Sequence, residues 1–562
     1  MCGIFYIIKQ KEHSYETITK SINKIQHRGP DKTIIKVVGE GDNIREIIGF
    51  HRLQINGLTE ASNQPMTFDE KTYLICNGEI YNHLALQRKY GIQCTTGSDC
   101  EIILHLFEKI GFENTVRALD GEFALAIITP EMVYVARDPY GVRALYIAVN
   151  TGTSTSSTST STNASIGIAS EGKALYDLFP PSTIRQFLPG HIAEWSKIHN
   201  TYNITPYYNF TSPLIHCPSS ITDAMILKTR ELLLNAVKKR IMCSRIGNTE
   251  NGAPALGAYL SGGFDSSAIA AILQKELTTT LETFSIGFKD SPDLFYARKV
   301  ADHIGSNHHE YIITEEQALN AIPHVIRMIE TYDITTIRAS TMMYLLSEYI
   351  SKNSKAVVMF SGEGSDEASG SYRYFHNAPS PEAFHAETLR LLQDLCYFDN
   401  LRADKSTAAW GLELRVPFLD LDFLNYYMTL PSYVKTCEGM EKYLLRKAVC
   451  DYLPADVLYR PKEAMSDGVS NHGRSWSSII QEYILGNNTS SILTVGSSIN
   501  SSSSTGLDAE KTFYLDMFNT YYPECLHQIP YYWLPKWCGD VTDPSARVLS
   551  IYNATVPEIN NK

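Results

Sequence analysis

The sequence predicts an α/β chain of two domains, antiparallel sheets first and a parallel sheet second, on three observations. Short runs rich in β-branched and aromatic residues alternate with turn signals over roughly the first two hundred residues. Strand-like and helix-like runs then take turns beyond residue 255, and 562 residues exceed what one core of ordinary size can hold.

In the first half "TYLICNGEI" (72–80), "GEFALAII" (121–128) and "MVYVARD" (132–138) read as strands. "CEIILHLFEKIG" (100–111) reads as a helix with Ile103, Leu104 and Phe107 on one face. The tracts "TGTSTSSTSTSTNAS" (151–165) and "SSINSSSST" (497–505) are too polar to bury and read as surface loops. After "PLIHCPSS" (213–220) the pattern changes to a long amphipathic helix, 222–242, with Ile226, Leu233, Val237 and Ile241 near helical spacing. The boundary is therefore expected near residue 215, giving domains 2–212 and 213–562.

Beyond it, "ALGAYL", "SSAIAAILQKEL", "TFSIGF", "YARKVADHIG" and "HEYIIT" alternate as βαβ units do. Such a sheet binds ligands at the carboxyl ends of its strands. The alternation stops near residue 365, and the remainder reads as mainly helical.

Composition narrows the function. With 44% hydrophobic and 20% charged residues the chain is of the soluble globular class. A net charge of −12 without long basic runs argues against a nucleic-acid partner. Eleven cysteines without any C-x-x-C pair indicate neither a zinc site nor a disulfide framework, so a reducing compartment is expected. With no basic segment leading into an apolar one at the start, and no run of about 18 apolar residues, no membrane partner is expected and the location is read as cytoplasmic.

The strongest local motif is "LSGGFDSS" (260–267), between a short apolar strand and a helix-like run. Gly262 and Gly263 allow a tight turn, and the N–H groups opening the helix can cradle an anion. Ser261, Ser266 and Ser267 add hydroxyls, while Asp265 would repel a phosphate unless it held a magnesium ion. The motif lacks the lysine and spacing of G-x-x-x-x-G-K-[ST]. A second loop, "FSGEGSDE" (360–367), follows "KAVVMF" in the same way and should lie on the same sheet edge. A bare S-G-G would read as a Gly-Ser turn that starts a helix, but the strand before it, the helix after it and Asp265 reverse that preference, as sheet-edge position does against a solvated acidic turn at 360–367; taken alone, Arg338 and Lys462 read as surface residues and Cys2 in "MCGIFYII" as a small buried hydrophobe.

Read together, these stretches resemble the glutamine-hydrolysing asparagine synthetases over nearly the whole chain. The matches run in order: "MCGI", "HRGPD" (27–31), "NGEIYNH" (77–83), "LDGEFA" (119–124), "ARDPYGVR" (136–143), "FLPGH" (187–191), "LSGGFDSS", "ETYDITTIRAS" (330–340), "FSGEGSDE", "GLELRVPFLD" (411–420) and "RPKEAMSDG" (460–468).

The resemblance implies an N-terminal Ntn-hydrolase domain, a four-layer αββα sandwich with class II glutamine amidotransferase activity. Cys2 would be its first residue after loss of Met1, with its own α-amine as base for the thiol. Asn77 and Gly78 would hold the oxyanion. Glutamine would be bound by Arg52, Leu53, Asn77, Gly78, Glu79 and Asp99, the arginine on its carboxylate and Asp99 on its ammonium.

The second half would be a parallel-sheet ATP pyrophosphatase domain with a helical C-terminal part. It would turn aspartate into β-aspartyl-AMP, which ammonia converts to asparagine. Leu260, Ile286, Ser361 and Gly362 would hold adenosine; Ser261, Gly263, Asp265 and Ser266 would hold pyrophosphate; Asp265 and Asp366 would hold Mg²⁺. Glu363 would serve adenylation and deprotonate the attacking ammonia, with Arg338 and Lys462 on the phosphates, and residues 402–420 would supply the aspartate pocket. Ammonia is mostly ammonium at neutral pH, so a water-excluding channel between the sites is expected. A homodimer also follows from the resemblance.

Departures from the family pattern are "GSDC" (97–100), "EASGSYRYF" (367–375) and an apparent insertion at 247–255, expected to alter loop shape rather than chemistry. Phosphoribosyl-amine and amino-sugar amidotransferases lack the SGGxDS loop, and lactam-forming relatives typically lack the cysteine. The acidic charge disfavours a tRNA-modifying ATP enzyme. A silent glutamine- and ATP-binding nitrogen sensor is the alternative from another class.

Overall fold

Alternation along "GIFYII" sets the layers of the first half, because successive strand residues face opposite sides. In a computed structural model, which describes residues 1–8, 13–39, 46–150, 165–210, 220–247, 255–470, 473–487, 505–545, 547 and 549, this run is strand β1 (Gly3–Ile8). With it stand β2 (Lys32–Val38), β3 (Glu46–Arg52), β4 (Tyr73–Ile80), β5 (Gly121–Ile128), β6 (Met132–Arg137), β7 (Tyr146–Asn150), β8 (Ser165–Ala169), β9 (Ile184–Gln186), β10 (His191–Ser196) and β11 (Thr201–Pro206).

They form two antiparallel sheets, in the orders β2-β3-β1-β8-β7-β9 and β11-β10-β6-β5-β4. Ile4 and Tyr6 of β1 meet Tyr73, Ile75, Ala124, Ala126 and Trp195 between the sheets. Phe5 and Ile7 instead pack outward on Ile18 and Ile22 of helix Tyr15–Asn23. On the far face, Leu74, Cys76, Leu125 and Ile127 meet Ile102, Ile103 and Leu106 of helix Glu101–Ile110. Helix, sheet, sheet and helix give the expected αββα order. Ile103 and Leu104 are buried as read, while Phe107 is only half-buried.

The amphipathic run begins at Asp223, where Thr222 caps the helix by accepting the Met225 N–H, and it ends at Lys239. The expected boundary near 215, the insertion at 247–255 save its first and last residues, and the serine/threonine tracts apart from Ser165 and Thr505 lie outside the described residues.

The second half carries β12 (Leu256–Tyr259), β13 (Glu282–Phe288), β14 (Asn307–Ile313), β15 (Val358–Phe360) and β16 (Glu413–Arg415) in one sheet, order β14-β13-β12-β15-β16. All four pairings are parallel. Strand order reverses direction between β12 and β15, and both glycine loops leave the carboxyl ends of those two strands; such a switch point is where open α/β sheets form ligand crevices. The mainly helical remainder needs correction at two places: Thr436–Cys437 pairs antiparallel with Met440–Glu441, and β16 is a fifth strand of the parallel sheet. It spans three residues, two of them charged, so it carries no apolar signal; Glu413 and Arg415 are buried because they pair with each other at 2.9 Å.

The halves meet through buried charge. Arg240 joins Glu122 (2.9 Å) to Asp420 (2.7 Å), and Arg28 joins Glu171 (2.7 Å) to Asp404 (2.9 Å). Met1, Leu53, Ile55, Tyr140 and Val142 add their apolar surface to the core of the second half.

Candidate active sites

Cys2 lies at the first end of β1, beside Asn77 in β4. The Cys2 backbone N–H donates to Asn77 Oδ1 at 2.8 Å, which orients the carboxamide. Asn77 Nδ2 is then buried without a hydrogen-bond partner among the described residues. An unpaired donor in such a place costs about 1–3 kcal/mol, so a site that binds an oxygen there recovers that cost on binding. Next to it, Gly78 pairs with Phe123, and a Cβ at Gly78 would stand 2.2 Å from the Glu122 carbonyl oxygen. Only glycine allows that approach.

The Cys2 Sγ lies 3.8 Å from the Leu53 carbonyl oxygen, and burial pushes the thiol up to about 11. Met1 is fully buried at the boundary between the halves, its amino group 3.4 Å from the Leu412 carbonyl. While Met1 is attached, the Cys2 nitrogen is an amide and no base.

Arg52 is buried, donating to the Thr59 carbonyl (3.0 Å), Asn63 Oδ1 (2.6 Å) and the Gly57 carbonyl. It forms no ion pair among the described residues, so its charge is held by neutral oxygens. Glu79 accepts from Asn56 Nδ2 at 2.8 Å and lies 3.3 Å from Arg415. Asp99 accepts the Ile80 N–H at 2.7 Å, and burial pushes its carboxyl up to about 6. The loop before it is pinned by Glu101, which accepts the N–H groups of Thr95 (2.9 Å) and Thr96 (2.7 Å).

The second site is a pocket at the switch point. Leu260, Ser261, Gly263, Asp265, Ser266, Ile286, Ser361, Gly362, Glu363, Asp366 and Lys462 all line it. Gly262 makes the turn with φ +71°, and a Cβ there would stand 2.4 Å from the Ala297 nitrogen. Helix Phe264–Glu276 follows with no side-chain cap, so its first N–H groups face the pocket free to bind an anion. Ser266 Oγ lies 3.0 Å from Ser261 Oγ and accepts the Ser261 N–H at 3.1 Å, fixing the loop.

Charge is concentrated here. Lys442 Nζ lies 2.6 Å from Asp265 and 2.5 Å from Asp366, whose other oxygen lies 2.6 Å from Lys462. Burial works against the Asp366 anion, but the two ammonium groups outweigh it and hold the carboxyl well below its usual range. Glu363 lies 2.7 Å from Arg402, yet burial still pushes its carboxyl up.

Arg338 is the one proposed phosphate ligand that the structure does not bring to this pocket. Thr335, Thr336 and Ala339 of its helix line the cavity, whereas Arg338 turns to Glu510 (2.7 Å) and Asp543 (2.9 Å). Two carboxylates from distant segments outweigh a helical position near the site, and nothing in the local sequence shows them. Missed entirely was Lys442, a solitary lysine in "GMEKYLLR" whose backbone has φ +58°. Arg402, within the stretch 402–420, and Arg460, 2.7 Å from Asp293, also line the pocket.

Two family models match the chain: a glutamine amidotransferase domain over residues 1–208, and asparagine synthase over 228–383 and 377–491. Among similar curated proteins are asparagine synthetases [glutamine-hydrolyzing] of Mus musculus, Gallus gallus and Homo sapiens. Each is 40% identical, over 583, 595 and 585 residues respectively. The alignments cover 99% of this chain and 99%, 100% and 100% of those proteins.

Proposed function

The chain belongs to the glutamine-hydrolysing asparagine synthetases, and from that premise we propose how its two sites divide the reaction. It synthesises asparagine with glutamine as nitrogen donor and ATP as co-substrate. The observation that best supports the division is the convergence of both glycine loops on one pocket, with Cys2 and the unpartnered Asn77 Nδ2 in a second site.

In the first site, removal of Met1 turns the Cys2 amide into a free α-amine, which titrates near about 7.7–8.0 when unperturbed. That amine takes the thiol proton as Sγ attacks the glutamine side-chain amide. Asn77 Nδ2 and the Gly78 N–H hold the oxyanion, Arg52 the α-carboxylate and Asp99 the α-ammonium, beside Leu53 and Glu79. The amine returns that proton to the departing nitrogen, so ammonia leaves as the γ-glutamyl thioester forms, and water then cleaves the thioester to glutamate and the free Cys2 thiol.

In the second site, Leu260, Ile286, Ser361 and Gly362 hold adenosine, while Ser261, Gly263 and Ser266 receive the pyrophosphate portion. The aspartate β-carboxylate displaces pyrophosphate to give β-aspartyl-AMP, and ammonia then displaces AMP. Glu363, kept basic by its raised carboxyl, takes a proton from the attacking ammonia; Lys462 and Lys442 answer the phosphate charge. Arg402 is the cation best placed for an aspartate carboxylate.

The donor set fits magnesium: Asp265 Oδ1 is buried without a hydrogen-bond partner among the described residues, and hard carboxylate oxygens are that ion's ligands. Asp265 and Asp366 would hold it, and when bound it would disperse charge on the phosphates. A direct ammonia route is supported by Arg415, which touches Glu79 at one end and whose carbonyl accepts the Ser361 N–H at 3.0 Å. Family likeness alone supports a homodimer in the cytosol, to be checked by light scattering and fractionation. Among the described residues no helix is long and apolar enough to cross a membrane.

The deciding assay supplies aspartate, glutamine and Mg·ATP and follows asparagine, AMP and pyrophosphate. Cys2→Ala should abolish glutamine-dependent synthesis and spare ammonia-dependent synthesis. Formation of ADP, or loss of both activities, would overturn the assignment. The silent-sensor alternative predicts no turnover at all.

A further inference from the structure

Residues 529–545 run without helix or strand past the second pocket. Trp533 lines the cavity, its ring centre 5.7 Å from that of Tyr372 and 6.1 Å from that of Tyr374, and its backbone N–H donates to Asp333 Oδ1 at 3.1 Å. Further along, Asp543 pairs with Arg338 at 2.9 Å, and Ser545 Oγ donates to Asp467 at 2.9 Å. Arg547 then lies 2.6 Å from Glu463, itself a wall of the pocket. The segment is therefore tied to both rims, at 333–338 and at 463–467.

This contact pattern explains Arg338. Held between Glu510 and Asp543, its guanidinium joins the helix that bears Thr335, Thr336 and Ala339 to the crossing segment. We propose that Trp533 and the Arg338–Asp543 pair are positioning residues that close the synthetase pocket against water. The inference rests on the proposed reading of this pocket as the site of adenylation.

An acyl-adenylate reacts with water as well as with ammonia. Water attacks the β-carboxyl carbon, the bond from that carbon to the phosphate oxygen breaks, and AMP leaves with aspartate regenerated. The net change is ATP and water to AMP and pyrophosphate, with no asparagine formed. A closed wall removes this loss, and the indole supplies an apolar one.

The test measures AMP formed per asparagine formed by the full-length protein with aspartate, ammonia and Mg·ATP, alongside its glutaminase rate. The intact protein should be near equimolar. Trp533→Ala should raise the ratio roughly tenfold with the glutaminase rate unchanged, and Trp533→Phe should restore it. Asp543→Asn, a milder change at the far anchor, should raise it in the same direction. An unchanged ratio in both variants, or a rise only in step with lost glutaminase activity, would overturn the inference. Absence of AMP from the intact protein would instead remove the underlying reading of the pocket.

Discussion

Lys442 Nζ lies 2.6 Å from the Asp265 carboxylate, in the turn that opens helix Phe264–Glu276. The same ammonium lies 2.5 Å from Asp366, so one lysine balances charge on both carboxylates proposed for magnesium, Asp366 being shared with Lys462 at 2.6 Å. Lys442→Met should leave those carboxylates without that balance and destabilise the fold by about 3–5 kcal/mol, the usual cost of breaking a buried pair. Asparagine synthesis from either nitrogen source should fall by about 10²-fold or more, because the cation also answers phosphate charge. Glutaminase activity, measured as glutamate release, should persist; its loss in parallel would mean that Lys442 serves folding only.

Asn77 Nδ2 is buried and unpaired while its Oδ1 holds the Cys2 nitrogen at 2.8 Å. Asn77→Ala should lower kcat for glutamine hydrolysis about 10²–10³-fold, the effect of removing one oxyanion donor. Ammonia-dependent synthesis should be unaffected. A change in the glutamine KM alone would assign Asn77 to binding rather than to the oxyanion.

Asp99, with its carboxyl raised to about 6 by burial, is ionised above that pH and protonated below it. Only the anion can accept the glutamine ammonium, so the KM for glutamine should rise as pH falls through about 6. For stability the sign is opposite: the unfolded carboxyl releases its proton near 3.8, so the cost of Asp99 to folding builds as pH rises from there to about 6 and is constant above it. Asp99→Asn should raise the KM by about 10–100-fold, the worth of a charged hydrogen bond, and flatten its pH dependence. A profile that keeps its slope in that variant would point to another group.

Legibility in the sequence followed the range of the interactions. The β-branched and aromatic runs of β4, β5 and β6 and the glycine turn at 260–267 are local, and each was readable from a few residues. The residues that resemble a known family marked the pocket walls. Partners distant in sequence were invisible. Arg338 stands between two carboxylates far along the chain, Lys442 enters through an unremarkable segment, and β16 hides because its charges pair within a three-residue strand. Burial of charge depends on what the fold brings to it, and a local pattern cannot state that.

Arg415 gives the last prediction, because its atoms face both sites. Nη2 lies 3.3 Å from Glu79 in the proposed glutamine site and 2.9 Å from Glu413, and Nη1 donates to the Met242 carbonyl at 2.6 Å. Its own carbonyl takes the Ser361 N–H in the loop proposed to hold ATP. A lysine keeps the charge but has one compact donor in place of a planar fork, so it cannot hold Glu79, Glu413 and the carbonyls together. Arg415→Lys should therefore leave each half-reaction within about tenfold of normal while loosening the region between them. Ammonia released at Cys2 should then escape, and glutamate formed per asparagine should rise above its value in the intact protein. Measuring both products in one reaction decides it: an unchanged ratio with both half-reactions intact would show that Arg415 supports the fold without linking the sites.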